Sequence, residues 1–204
     1  MALANYTDLQ ASVAAWLNRS DLTAVIPDFI AIAENLHSRD LRLRKQIITT
    51  TLTTVSSNRG VTLPSDFLEF ENVSLLDSPE RQLTYATVEQ LDSAYPNLGG
   101  NSEPSLYTIE ADQILFGPTP DSAYVISILY YARFSSLSIS GTNWLMTNHP
   151  QAYLYASLMQ ACLYIKDKSA AGEYKKLYDE TVMNLQRQDD TAQHSGSSLR
   201  VRII

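Results

Sequence analysis

The chain has 204 residues, 45% apolar and 18% charged, enough for one full hydrophobic core with room for a smaller inserted lobe. A formal net charge of −7 argues against a general nucleic-acid binder, and a single cysteine, Cys162, excludes an intramolecular disulfide and a zinc-type cluster. No apolar run approaches the roughly 18 residues of a membrane span.

The opening "MALANYTDLQ" lacks the basic start and apolar middle of a signal peptide, so the product is expected to stay in the cytoplasm. "TDLQASVAAWLNR" reads as a helix with Leu9, Val13, Trp16 and Leu17 on one stripe, and Thr7 with Gln10 as its capping box. In the second helix Pro27 stands near the start, where its missing N–H costs nothing, and Ile26, Phe29, Ile30, Ala33, His37 and Leu41 share a face.

The period then changes. "KQIITTTLTTVSS" is β-branched and fits a sheet. "NRGVTLP" reads as a turn, and "FLEFENVSLLD" and "RQLTYA" read as a hairpin closed by "SPE". "TVEQLDSAY" is a short helix with a Thr87–Gln90 capping box, and "NLGGNSEPS" is a loop. "LYTIE", "QILFG" and "AYVISILYYARF" supply three further strands.

Helix returns in "HPQAYLYASLMQACLYIKD", which is apolar nearly all round and is therefore either a central core helix or a contact between subunits. Tyr153, Tyr155, Met159 and Tyr164 are its candidates for a subunit contact. A last helix from Lys168 to about Asp190 carries a narrower stripe of Tyr174, Leu177, Tyr178, Thr181 and Leu185. The chain then closes on "HSGSSLRVRII", a polar leader followed by strict alternation of apolar and basic residues.

The expected fold class is α+β: a helical bundle formed by the N- and C-terminal helices, an inserted mainly antiparallel β lobe, and an extended C-terminal tail. The expected boundaries are 1–45 and 136–190 for the bundle, 46–135 for the lobe with one short helix, and 191–204 for the tail.

Charge is uneven along this order. Between Val61 and Ala132 one base, Arg81, stands against eleven acids, a net −10. Such a stretch is either a solvated surface or one that repels DNA or meets a basic partner. The densest basic cluster, Arg39, Arg42, Arg44 and Lys45, follows the second helix, where cations offset the helix dipole. A phosphate contact is the alternative use of those charges, and Arg42 and Arg44, which flank Leu43, could also pair with acids on a neighbour.

Catalytic signatures are missing. His37 lies on an apolar stripe, His149 precedes a proline at a helix start where a capping or loop role is expected, and His194 sits in the polar tail. Cys162 reads as an inert packed thiol. "NLGGNS" lacks the Lys-Ser/Thr of a phosphate loop, and no metal or cofactor motif is present. A carboxylate-based hydrolase is the residual enzymatic alternative.

Taken in order, the blocks "DLQASVAAWLNRSDLTAVIPDFIAIAENLHSRDLR", "LPSDFLEFENVSL", "RQLTYATVEQLDS", "ILYYARFSSLS", "NWLMTNHPQAYLYASLMQACLYIKD" and "SGSSLRVRII" resemble the phage head-to-tail adaptor proteins, along nearly the whole chain. The β-rich middle exceeds what purely helical adaptors carry. The resemblance implies a non-enzymatic structural protein of the virion head–tail junction, made in the host cytoplasm. It implies a ring of twelve copies under the portal, joined to a tail (nozzle or tube) protein, with double-stranded DNA passing through without sequence-specific binding. Neither a membrane nor a cofactor is implied. Another tail component, in the tube or in fibre attachment, is the alternative structural role. Adaptors of this kind commonly insert a C-terminal segment into the portal, which here assigns docking to Leu199, Arg200, Val201, Arg202, Ile203 and Ile204. The segment can add as a strand to a sheet edge, with Leu199, Val201 and Ile203 on one side and Arg200 and Arg202 on the other. Binding to an adjacent adaptor subunit, which would lock the ring, is the other use of the same chemistry, and a disordered end is the alternative to both.

Overall fold

The computed structural model describes residues 3–77, 79–96 and 100–193. In chain order the elements are α1 (Tyr6–Leu17), α2 (Ile26–Asp40), a 3-10 turn (Arg44–Gln46), β1 (Ile47–Thr53), β2 (Gly60–Thr62), β3 (Phe67–Leu75), β4 (Arg81–Gln82) and β5 (Thr84–Tyr85). They continue with α3 (Val88–Ala94), β6 (Leu106–Glu110), β7 (Gln113–Gly117), β8 (Val125–Ala132), α4 (Leu137–Ser140), α5 (Trp144–Asn148), α6 (Pro150–Tyr164) and α7 (Lys168–Gln193). This is an α+β fold. It divides into two compact units, one drawn from both ends of the chain and one spanning Ile47–Ala132.

The helical unit is organised around α6, which packs against α1, α2, α5 and α7. Buried residues occur on every side of it, from Ala152, Tyr153 and Leu154 through Leu158 and Met159 to Ala161 and Cys162. A helix without a polar face must be covered all round, and four helical neighbours provide that cover. Ala152, Ala156, Ser157 and Ala161 are small, so those neighbours can approach its backbone closely. The α2 stripe is buried as its spacing predicts, at Ile26, Phe29, Ile30, Ala33 and His37.

Three local readings are corrected. The cap of α1 is Asn5, two residues before the expected Thr7: its side chain accepts the Asp8 N–H at 2.9 Å and donates to the Asp8 carboxylate at 3.1 Å. Trp16 is half exposed, its ring lying 6.4 Å from both Tyr155 and Tyr174 at the surface. On α7 the buried positions are Ala171, Tyr178, Thr181, Val182 and Leu185, while Leu177 faces outward. Ala171, Tyr178, Val182 and Leu185 share one face at 3.6 residues per turn, and Leu177 lies outside it.

Two short helices, α4 and α5, fill the chain before α6 and carry no periodicity long enough to predict them. They are fixed by side-chain caps. Glu34 of α2 accepts from the Leu137 N–H at 2.7 Å and from the Ser136 hydroxyl at 2.8 Å, closing the start of α4. Asn143 accepts the Met146 N–H at 2.9 Å and donates to the Tyr153 hydroxyl at 2.8 Å, tying α5 to α6.

The β unit contains two sheets, ordered β1-β8-β3-β4 and β2-β7-β6-β5. Their pairings are antiparallel except β5 with β6, which is parallel. The expected turn "NRGVTLP" contains β2, and the expected strand "RQLTYA" is split: β4 joins the first sheet, β5 the second, and Leu83 between them enters the core. A segment that changes sheets can satisfy both edges only by breaking its own pairing. The Thr87–Gln90 capping box of α3 is present in both directions. On β8 alternate residues Ile126, Ile128, Tyr130 and Ala132 turn inward and join Val73, Leu75, Leu83, Ile114 and Phe116 in one core. The Tyr130 hydroxyl donates to Asp66 at 3.0 Å, and burial together with that carboxylate pushes its pKa up to about 12.

Candidate interaction surface

Past the end of α2 the chain alternates, with Leu41 and Leu43 buried and Arg42 and Arg44 more exposed. Arg42 reaches back to the Ser38 and Leu41 carbonyls at 2.8 and 2.7 Å, placing a cation on the carbonyl end of the helix. Arg39 pairs with Asp40 at 2.6 Å at the surface. The Asp40 carboxyl is held below the usual carboxylate range, first by the Arg39 contact and further by the Tyr178 hydroxyl, against the opposing effect of partial burial. Arg44 donates its backbone N–H and its Nε to the two oxygens of Asp189 on α7, at 2.9 and 3.0 Å. Three of the four clustered cations therefore serve the helical unit itself. Lys45 is exposed and has no partner among the described residues.

Beside this turn lies a pocket of about 160 Å³. Leu43, Trp144 and Leu185 supply its apolar lining, and Arg44, Lys45, His149, Gln188 and Asp189 its polar one. A neighbouring pocket of about 190 Å³ shares His149, Leu185 and Gln188 and extends along α7 to Thr181 and Asn184. His149 precedes Pro150 but its side chain makes no cap bond, which corrects the capping role; its ring lies 5.4 Å from Trp144, and partial burial lowers its pKa. Sequence reasoning missed this pocket because Leu43, Trp144 and Leu185 come from three separated segments. Only the Leu-flanking alternation of Arg42 and Arg44 hinted that the turn is held against a neighbour.

The α6 residues expected at a subunit contact divide. Tyr153 and Met159 are buried within the helical unit, which corrects the expectation for these two, because a side chain already enclosed by its own fold has no surface to offer. Tyr155 is half-buried against Trp16, and Tyr164 is exposed beside Phe29, ring centroids 5.4 Å apart. These two remain at the surface.

Among the described residues the groups that carry catalysis elsewhere are unsuited to it here. His37 is buried, neither ring nitrogen meets the geometry of a hydrogen bond, and burial lowers its pKa to about 4, with the nearby Ala152 backbone and the Asp40 carboxylate opposing that shift. The Cys162 thiol is pushed up, mainly by burial, and so is not a ready nucleophile. No cluster of three potential metal-binding His, Cys, Asp or Glu side chains occurs among the described residues. A pocket of about 430 Å³ in the β unit contains one carboxylate, Glu103, and it is paired with Arg81. No helix among the described residues is long and apolar enough to cross a membrane. The tail assignment, Leu199 to Ile204, lies outside the described residues, as does His194.

The helical unit carries the Arg39–Lys45 cations and the surface aromatics Trp16 and Tyr164, and the β unit is rich in acids. A comparison with curated proteins finds no match. The family model of the SU10 adaptor protein matches residues 4–202, across both units and into the final alternating segment. The chain belongs to the SU10 adaptor protein family, a family of structural phage adaptors.

Proposed function

We propose that the protein is the head-to-tail adaptor of its phage: a homo-oligomeric ring, of twelve copies by the resemblance, seated under the portal at the head–tail junction and joined below to a nozzle or tube protein. The observation that carries this reading is the family match, which runs from residue 4 to residue 202 and so takes in the alternating tail. The acidic middle supports it as well. A channel wall with few cations forms few phosphate contacts, and those contacts are what make DNA binding strong, so DNA passes without being held. The tail, Leu199 to Ile204, is the docking element: its backbone supplies strand pairing and its three alternate apolar side chains supply register. Deletion of residues 199–204 abolishes co-sedimentation with the portal while leaving the helical circular dichroism unchanged. Portal binding at the full-length level by the truncated protein would refute the assignment.

A further inference from the structure

Among the described residues of the β unit most acids are already engaged. Asp66 accepts from Tyr130, Glu80 from Ser74, Asp92 pairs with Arg59, Asp77 and Glu103 pair with Arg81, and Asp121 accepts from Tyr124. Glu71, Glu89, Glu110 and Asp112 differ, since none of these side chains has a hydrogen bond or an ion pair among the described residues, and of the four only Glu110 and Asp112 stand close together in sequence. They stand at the turn of the β6–β7 hairpin, where Ile109 through Gln113 are all exposed and Ala111 takes the left-handed backbone, φ 53°, that reverses the chain. The hairpin thus offers two carboxylates without partners among the described residues on an exposed turn.

The helical unit presents the complementary feature. Its pocket beside the Arg44–Gln46 turn has apolar walls, Leu43 and Trp144; Arg44 in its lining is paired with Asp189, and Lys45 has no partner among the described residues. At about 160 Å³ it has room for one or two side chains, so it suits a hairpin turn rather than a flat face. A ring is closed by a heterologous contact, in which two different patches of the same chain meet on neighbouring copies.

We propose that the Leu43–Lys45–Trp144 pocket receives the Glu110–Asp112 hairpin tip of a second copy of this chain, with Lys45 facing the two carboxylates. The proposal rests on the ring reading above and names the contact that closes it. Charge complementarity at such a contact sets partner choice and register, and it makes assembly sensitive to salt.

The test is charge exchange, read by light scattering across a concentration series, alone and on the portal. Lys45→Glu and Glu110→Lys are both surface changes and are expected to leave the fold intact. Each alone raises the concentration needed for assembly about tenfold, on the scale of one ion pair of about 1.4 kcal/mol. Combined in one chain they restore it to within about threefold. Carbodiimide cross-linking of an assembly mixed from ¹⁴N- and ¹⁵N-labelled protein is expected to join Lys45 of one label to Glu110 or Asp112 of the other. Wild-type assembly with single variants that assemble equally well, or a double variant no better than the singles, overturns this contact and leaves the ring reading standing. Cross-links confined to one label also overturn it. Failure of the wild type to assemble under either condition overturns both.

Discussion

His37 offers a quantitative test of how the helical unit is packed. It sits on the inward face of α2 at 1% exposure, with the Tyr153 ring 4.4 Å and the Tyr178 ring 5.8 Å away, and among the described residues neither nitrogen meets the geometry of a hydrogen bond. Burial disfavours the imidazolium and lowers its pKa to about 4, against about 6.5 in an unfolded chain. Because the folded-state pKa is the lower one, the unfolded chain takes up a proton first as the pH falls. Stability is therefore complete above about pH 6.5 and is lost on acidification toward pH 4. Integrating between pH 7.5 and 4.5 gives a loss of about 2.5 kcal/mol from this one group. The Asp40 carboxyl, held below its ordinary range, titrates beneath that window. His149, also lowered by burial, adds a loss of the same sign, which is why a variant is needed. Urea unfolding of wild type and His37→Leu, followed by helical circular dichroism at both pH values, isolates the contribution. The wild type is expected to lose about 2–3 kcal/mol more than the variant between the two pH values. Equal losses, within a few tenths of a kcal/mol, would mean that His37 is hydrated or hydrogen-bonded, and would refute the packing described.

Two further substitutions probe other parts of the helical unit. Leu158 on α6 is fully buried, and Leu158→Ala is expected to cost about 2–5 kcal/mol by loss of transfer energy and creation of a cavity; a cost under about 1 kcal/mol in urea unfolding would contradict the central position of α6. Asn5→Ala removes the observed cap of α1 and is expected to cost about 1 kcal/mol, while Thr7→Ala, at an exposed position, stays within about 0.5 kcal/mol. The reverse order in thermal unfolding would restore Thr7 as the cap.

Long periodic elements were legible from the residues alone. The α2 stripe, the all-round apolarity of α6 and the alternation of β8 each state their burial directly in sequence, since one period fits one environment. Elements set by tertiary partners were not. Glu34 caps α4 from 103 positions away along the chain, and the pocket beside Lys45 is assembled from three segments, so no local pattern announces either. The break at Leu83 was hidden for a related reason: "RQLTYA" has good strand chemistry throughout, and only the existence of two sheets forces β4 and β5 apart. α6 shows where sequence leaves two answers. Its composition fits a core helix or a subunit contact, and the burial of Tyr153 and Met159 against neighbouring helices of the same chain decides for the core at those positions.

The most direct test of the adaptor reading is the mass, by light scattering, of the purified protein alone and after mixing with the portal of its own phage. The reading predicts a portal complex whose added mass corresponds to many copies of a 22.8 kDa chain arranged as a ring. Two folded proteins that elute separately, with no mass gained by the portal, would contradict it.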